Sequence, residues 1–78
     1  MKLKKFVKHI NDFVEVEIYE NIIDNIYDQK LYTGNVYNIP ERLLNYKMDS
    51  YAGATVEVKY DDNNEQYLAM IIPVLKNC

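Results

Sequence analysis

The sequence predicts an α+β domain: a mostly antiparallel sheet of four or five strands, an N-terminal amphipathic helix and one or two short helices. Three observations carry this prediction. Leu3, Phe6, Val7 and Ile10 fall at i, i+3, i+4 and i+7, the spacing of one helical face. Several later segments alternate apolar and polar residues with the period of a strand. Two glycines and two prolines in 78 residues leave no flexible linker, so residues 1–78 read as one domain. A chain this short buries only roughly 60% of the surface its unfolded form exposes, which sets an expectation of modest stability.

The elements follow in order. Lys2, Lys4, Lys5, Lys8 and His9 occupy the face of the first helix opposite its apolar stripe. That helix should stop near Asn11 and Asp12, both poor in helix interiors. A strand then sets Val14, Val16 and Ile18 against Glu15, Glu17 and Tyr19. Residues 18–29 repeat a fourfold spacing that would stack Ile22, Ile23, Ile26 and Tyr27 on one side of a helix and align Glu20, Asp24 and Asp28 on another. Like charges at that spacing cost about 0.2 to 0.5 kcal/mol each. No glycine or proline marks a tight hairpin there, so a short helical turn over residues 20–27 is favoured over a long connection.

A second strand is expected from Leu31 to Tyr37, with Gly34 permitting a bulge or close packing. Pro40, followed by Glu41, Leu43 and Leu44, opens a short helix that runs to about Tyr46. Thr55 to Tyr60 alternates again, and the polar run Asp61, Asp62, Asn63, Asn64, Glu65 turns the chain into a last strand from Gln66 to Leu75. Both faces of that last strand are apolar, so it should be central, covered on both sides, or part of a subunit contact. The expected core is Leu3, Phe6, Val7, Ile10, Val14, Val16, Ile18, Val36, Leu43, Val56, Val58, Leu68, Met70 and Ile72.

Composition limits function. The longest apolar run, Leu68 to Leu75, is far short of the roughly 20 residues a spanning helix needs, and the first ten residues carry no signal-peptide pattern. A single cysteine, Cys78, cannot close an internal disulfide, which suggests a protein of the reducing cytoplasm. His9 is the only histidine and lies on a lysine face, so a hydrolytic triad is not expected. Asp61 to Glu65 lacks the glycine and the distal glutamate of a calcium loop, and Gly34 and Gly53 are isolated, so neither a metal nor a phosphate loop is read. The expectation is a protein that is not an enzyme and carries no cofactor.

Charge is unevenly placed. All twelve acids lie between Asp12 and Glu65, where Lys30, Arg42, Lys47 and Lys59 leave a local balance of minus 8, and the five other lysines flank this stretch. Seven of the eight tyrosines fall within it. Carboxylates with tyrosines suit a basic partner, and a surface of this kind can occupy a groove that otherwise holds nucleic acid. Direct nucleic-acid binding would rest on the lysine helix alone, while the rest of the chain would repel phosphate. The residues first expected to form the docking face are Glu15, Glu17, Tyr19, Glu20, Asp24 and Asp28, with Asp61, Asp62 and Glu65 second. A second reading is a structural or assembly protein that self-associates as a homodimer through its apolar last strand.

The segments VEVEIYE, LYTGNVYNIPERLLNYKMDS and ATVEVKY resemble small proteins encoded by prophages and conjugative elements of low-GC Gram-positive bacteria, with Tyr32, Gly34, Val36, Ile39, Pro40, Leu43 and Leu44 at the matching positions. The chain departs from that pattern by a longer stretch around Asn21 to Gln29 and a longer final hairpin. Such proteins include inhibitors of host defences, anti-CRISPR proteins among them. The resemblance therefore implies a small acidic phage-type inhibitor, cytoplasmic in the host bacterial cell, that binds a host defence protein such as a CRISPR-Cas effector.

Overall fold

A computed structural model describes residues 1–22, 25–49 and 53–75, with side chains described for all of these except 21, 22 and 25–28. Helix α1 (Leu3–Val7) is followed by strands β1 (Glu15–Ile22) and β2 (Asn25–Asn35). A 3-10 turn (Val36–Asn38) leads to helix α2 (Glu41–Leu44), then to strands β3 (Thr55–Tyr60) and β4 (Gln66–Leu75). The fold is α+β, as the sequence predicts. The sheet is four-stranded and mixed, in the order β2-β1-β4-β3. The β1–β2 and β3–β4 pairs are antiparallel, while β1 and β4 run parallel, with Ile18 beside Ile72 and Glu20 beside Val74.

The last strand is central, flanked by β1 and β3. That is where two apolar faces belong, because each can be covered from its own side of the sheet. β4 pairs with β1 from Ala69 to Leu75 and with β3 from Gln66 to Ile71, so most of its ladder positions are taken within the chain. The expected helical turn over residues 20–27 is corrected. β1 continues to Ile22 and β2 begins at Asn25, with Ile22 opposite Asn25, so cross-strand pairing overrides the fourfold spacing. Residues 23 and 24 lie outside the described residues.

One face of the sheet carries the main core. Leu3 and Val7 of α1 and Leu43 of α2 pack with Val16, Ile18, Ile72, Val74, Val36 and Ile39, and Phe6, Ile10, Val14 and Met70 cover the margins. The start of the chain is tied to the segment after α2: the Leu3 amide donates to the Tyr46 carbonyl at 2.8 Å, and the Met48 amide to the Met1 carbonyl at 2.8 Å. That segment continues the ladder along β4, with the Leu75 amide donating to the Lys47 carbonyl and the Asp49 amide to the Pro73 carbonyl.

Gly34 shows the close packing expected of it rather than a bulge. The Tyr32 ring lies back along β2 over Gly34, and its hydroxyl donates to the Asn35 carbonyl at 2.7 Å. The register shifts of β1 against β2 fall instead between Ile18 and Tyr19 and between Glu20 and Ile22.

Three expected core residues are not in the core. Val56, Val58 and Leu68 are 59%, 53% and 64% exposed. Their alternation does hold, since Val58 opposes Leu68 and Val56 opposes Met70 on the face that bears the helices. What is missing is cover. A helix of five residues and one of four span only about 7.5 and 6 Å, whereas a ten-residue strand runs about 33 Å. The helices therefore roof one end of the sheet and leave the β3–β4 arm bare.

Candidate functional site

β1 divides the residues expected to form the first docking face. Glu15, Glu17 and Tyr19 alternate onto the face away from the helices, while Glu20 shares the opposite face with Val16 and Ile18. Glu17 and Glu20 are buried, and Glu15 and Tyr19 are half-buried. Asp24 lies outside the described residues, and Asp28 is described only in its backbone, within β2. The second group, Asp61, Asp62 and Glu65, sits at the tip of the β3–β4 hairpin, beyond the Tyr60–Gln66 pair. The positions of β4 paired with Glu20 and with the tip differ by eight residues, about 26 Å along the strand. The described carboxylates thus do not converge on one patch.

The Glu17 carboxylate is held internally. It accepts from the Tyr19 hydroxyl at 2.6 Å and lies 3.5 Å from the Lys59 ammonium and 3.9 Å from that of Lys30, itself 5.9 Å from the centroid of the Tyr19 ring. Lys59 also meets Glu57 at 3.3 Å. Lys30 belongs to β2 and Lys59 to β3, so the charges bridge the whole sheet, passing over β4 where Ala69 offers only a methyl group. Ala69 and Ile71 are each only 2% exposed beneath this layer.

Burial raises the Glu17 pKa, but the Tyr19 hydrogen bond and the two ammoniums outweigh it and leave the carboxyl below its ordinary range. For Lys59, burial works to lower the pKa, and Glu57 and Glu17 more than offset this and raise it. Because the folded Glu17 pKa is depressed, its contribution to stability is present above the ordinary glutamate value and is lost as pH falls through the lower folded value. Glu17→Gln is expected to destabilise by roughly 1 to 2 kcal/mol at neutral pH, a figure discounted for the exposure of Lys30. Thermal melts of the two proteins should converge as the solution is acidified.

The sequence held a signal for this burial that alternation alone hides. Lys30 and Lys59 are the only bases in the four strands, one on each side of the central pair, and β1 is interior rather than an edge.

A different surface presents unsatisfied apolar area. Phe13, Val14, Val56, Leu68 and Met70, with Glu15 and Ala69, line a concave surface of about 380 Å³ on the bare part of the sheet. Phe13 is 83% exposed, and Val58 and Tyr60 extend the strip toward the tip. At the tip the Asp61 carboxylate accepts from the amides of Asn63 and Glu65, both at 2.9 Å, and so builds the turn. Asn64 adopts the left-handed conformation there, with φ 62°. The side chains of Asp62 and Glu65 are exposed at this tip.

From Thr55 to Leu68 the acids Glu57, Asp61, Asp62 and Glu65 face one base, Lys59, a net of minus 3. Tyr60 is exposed on the helix-bearing face of the arm and Tyr67 on the other. Of these groups, Tyr60 shares a face with Val56, Val58 and Leu68, whereas Glu57 lies on the other face beside Lys59. No family model, curated protein or solved structure matches the chain. Among the described residues no helix is long and apolar enough to cross a membrane.

Proposed function

We propose that this chain is a non-catalytic binding protein that docks its β3–β4 arm onto a basic surface of another protein. On this reading it acts as a small inhibitor from a mobile element, and the partner is a host defence protein whose basic groove ordinarily holds nucleic acid. The supporting observation is that exposed Val56, Val58, Leu68 and Tyr60 share one face of the unroofed arm, with Phe13 lining the same concavity as Val56 and Leu68 and the acidic tip at the arm's end. Exposed apolar groups rimmed by polar residues are characteristic of interaction sites, and the sign of the rim selects a partner with lysine or arginine around an apolar protrusion.

The acids expected to dock first, Glu15 and Glu17, contribute less on this reading. Glu17 is already neutralised by two ammoniums, whereas Asp62 and Glu65 face solvent. The test is affinity capture from a bacterial lysate at rising salt, comparing the native chain with Asp62→Lys/Glu65→Lys. Capture by the native chain should weaken with salt and be largely lost in the variant. Equal capture by both, at every salt concentration, contradicts the proposal.

A further inference from the structure

β3 is an edge strand whose register against β4 is unbroken from Thr55 to Tyr60, with no glycine or proline in those six residues. Its outer side therefore presents a straight row of backbone donors and acceptors, the arrangement that templates pairing with another strand. What distinguishes this edge is the order of its side chains. In an antiparallel pair, residues directly opposite each other lie on the same face, so a two-fold pairing of β3 with itself must place one residue opposite its own copy.

Registers centred on Glu57 and on Val58 pair residues 55–59 and 56–60 of the strand, and one centred on Lys59 pairs 58–60. Centring on Glu57 sets that carboxylate against itself. Centring on Lys59 sets two ammoniums together and Glu57 against Asp61. Centring on Val58 sets Val58 against Val58, Val56 against Tyr60, and Glu57 against Lys59 on both sides of the axis. Only this last register matches charge with charge and apolar with apolar, and each such cross-strand pair contributes favourably. Glu57 and Lys59 retain 50% and 29% side-chain exposure, so both are accessible to a second copy.

We infer that the chain forms a two-fold dimer through β3, centred on Val58, which joins two sheets into one of eight strands. The interface uses the edge of β3, and it aligns the apolar strips of both copies into one surface across the two arms. This goes beyond the docking proposal, and it is measured on the protein alone, so loss of one does not imply loss of the other.

Sedimentation equilibrium from micromolar to millimolar protein should show the mean mass rising from 9.3 kDa toward twice that value. Glu57→Lys, which sets like charges together at both symmetric positions, should lower the association constant roughly tenfold while leaving the circular dichroism spectrum unchanged. In a Cys78→Ser background, oxidised Val58→Cys should cross-link into dimer. Val56→Cys should not, because its copy lies four positions away, about 13 Å along the pair. A mass of 9.3 kDa at every concentration, or equal cross-linking at the two positions, overturns the inference.

Discussion

Ile72→Ala is expected to destabilise the protein by about 2 to 5 kcal/mol, while Leu68→Ala, four residues earlier on the same face of the same strand, should change stability by no more than about 0.5 kcal/mol. Ile72 is fully buried beside Ile18 and packs with Leu3, Val7 and Leu43, so truncation leaves a cavity that short helices and a paired sheet cannot collapse. Leu68 is 64% exposed and its methyl groups already touch water. In a domain of this size 1 kcal/mol moves the melting temperature by roughly 4 to 8 °C. Ile72→Ala should therefore melt at least about 10 °C below the native protein, and Leu68→Ala should melt with it. Equal losses at the two positions would mean that the helices cover the whole sheet.

Gly34→Ala is the second large effect, expected to cost roughly 2 to 4 kcal/mol. Gly34 has φ 147°, a conformation that side chains resist, and a β-carbon there would lie 2.6 Å from the Tyr32 hydroxyl oxygen and 3.0 Å from its ring carbon Cζ. The ring would have to move, breaking its hydrogen bond to the Asn35 carbonyl. The clash and the strain can be separated. Tyr32→Phe removes the closest atom, so Gly34→Ala/Tyr32→Phe should cost less than the sum of the single changes, yet more than Tyr32→Phe alone, because φ is unaltered. Denaturant unfolding of the four proteins measures this coupling, and strict additivity would contradict the contact.

Much of the architecture is legible in the residues, for identifiable reasons. Leu3 and Val7 declare a helix face, the doubly apolar run from Gln66 to Leu75 declares a central strand, and Pro40 and Gly34 mark a helix start and a tight approach. The continuation of β1 to Ile22 and the start of β2 at Asn25 were not legible, because a fourfold repeat of isoleucine and tyrosine satisfies a helix locally and only the partner strand decides otherwise. The parallel β1–β4 pair joins segments separated by most of the chain, and no local pattern encodes it.

The proposed docking surface was half legible. Asp61, Asp62 and Glu65 were identifiable as an exposed turn, but the importance of Val56, Val58 and Leu68 beside them depends on how far two short helices reach. Glu17 shows the converse. Alternation assigns it to solvent, and its position on an interior strand between two lysines makes it part of the fold. Acidic residues near in sequence thus separate into structural and available ones only when the neighbouring strands are known.

The most direct test of the docking account compares two variants for affinity toward the captured, purified partner. Leu68→Ser/Asp62→Lys alters the arm, and Glu15→Lys alters the β1 face on which docking was first expected. The account predicts at least a tenfold loss for the first, about 1.4 kcal/mol, and little change for the second. Unchanged binding by the arm variant, with the loss falling on Glu15→Lys instead, would contradict it.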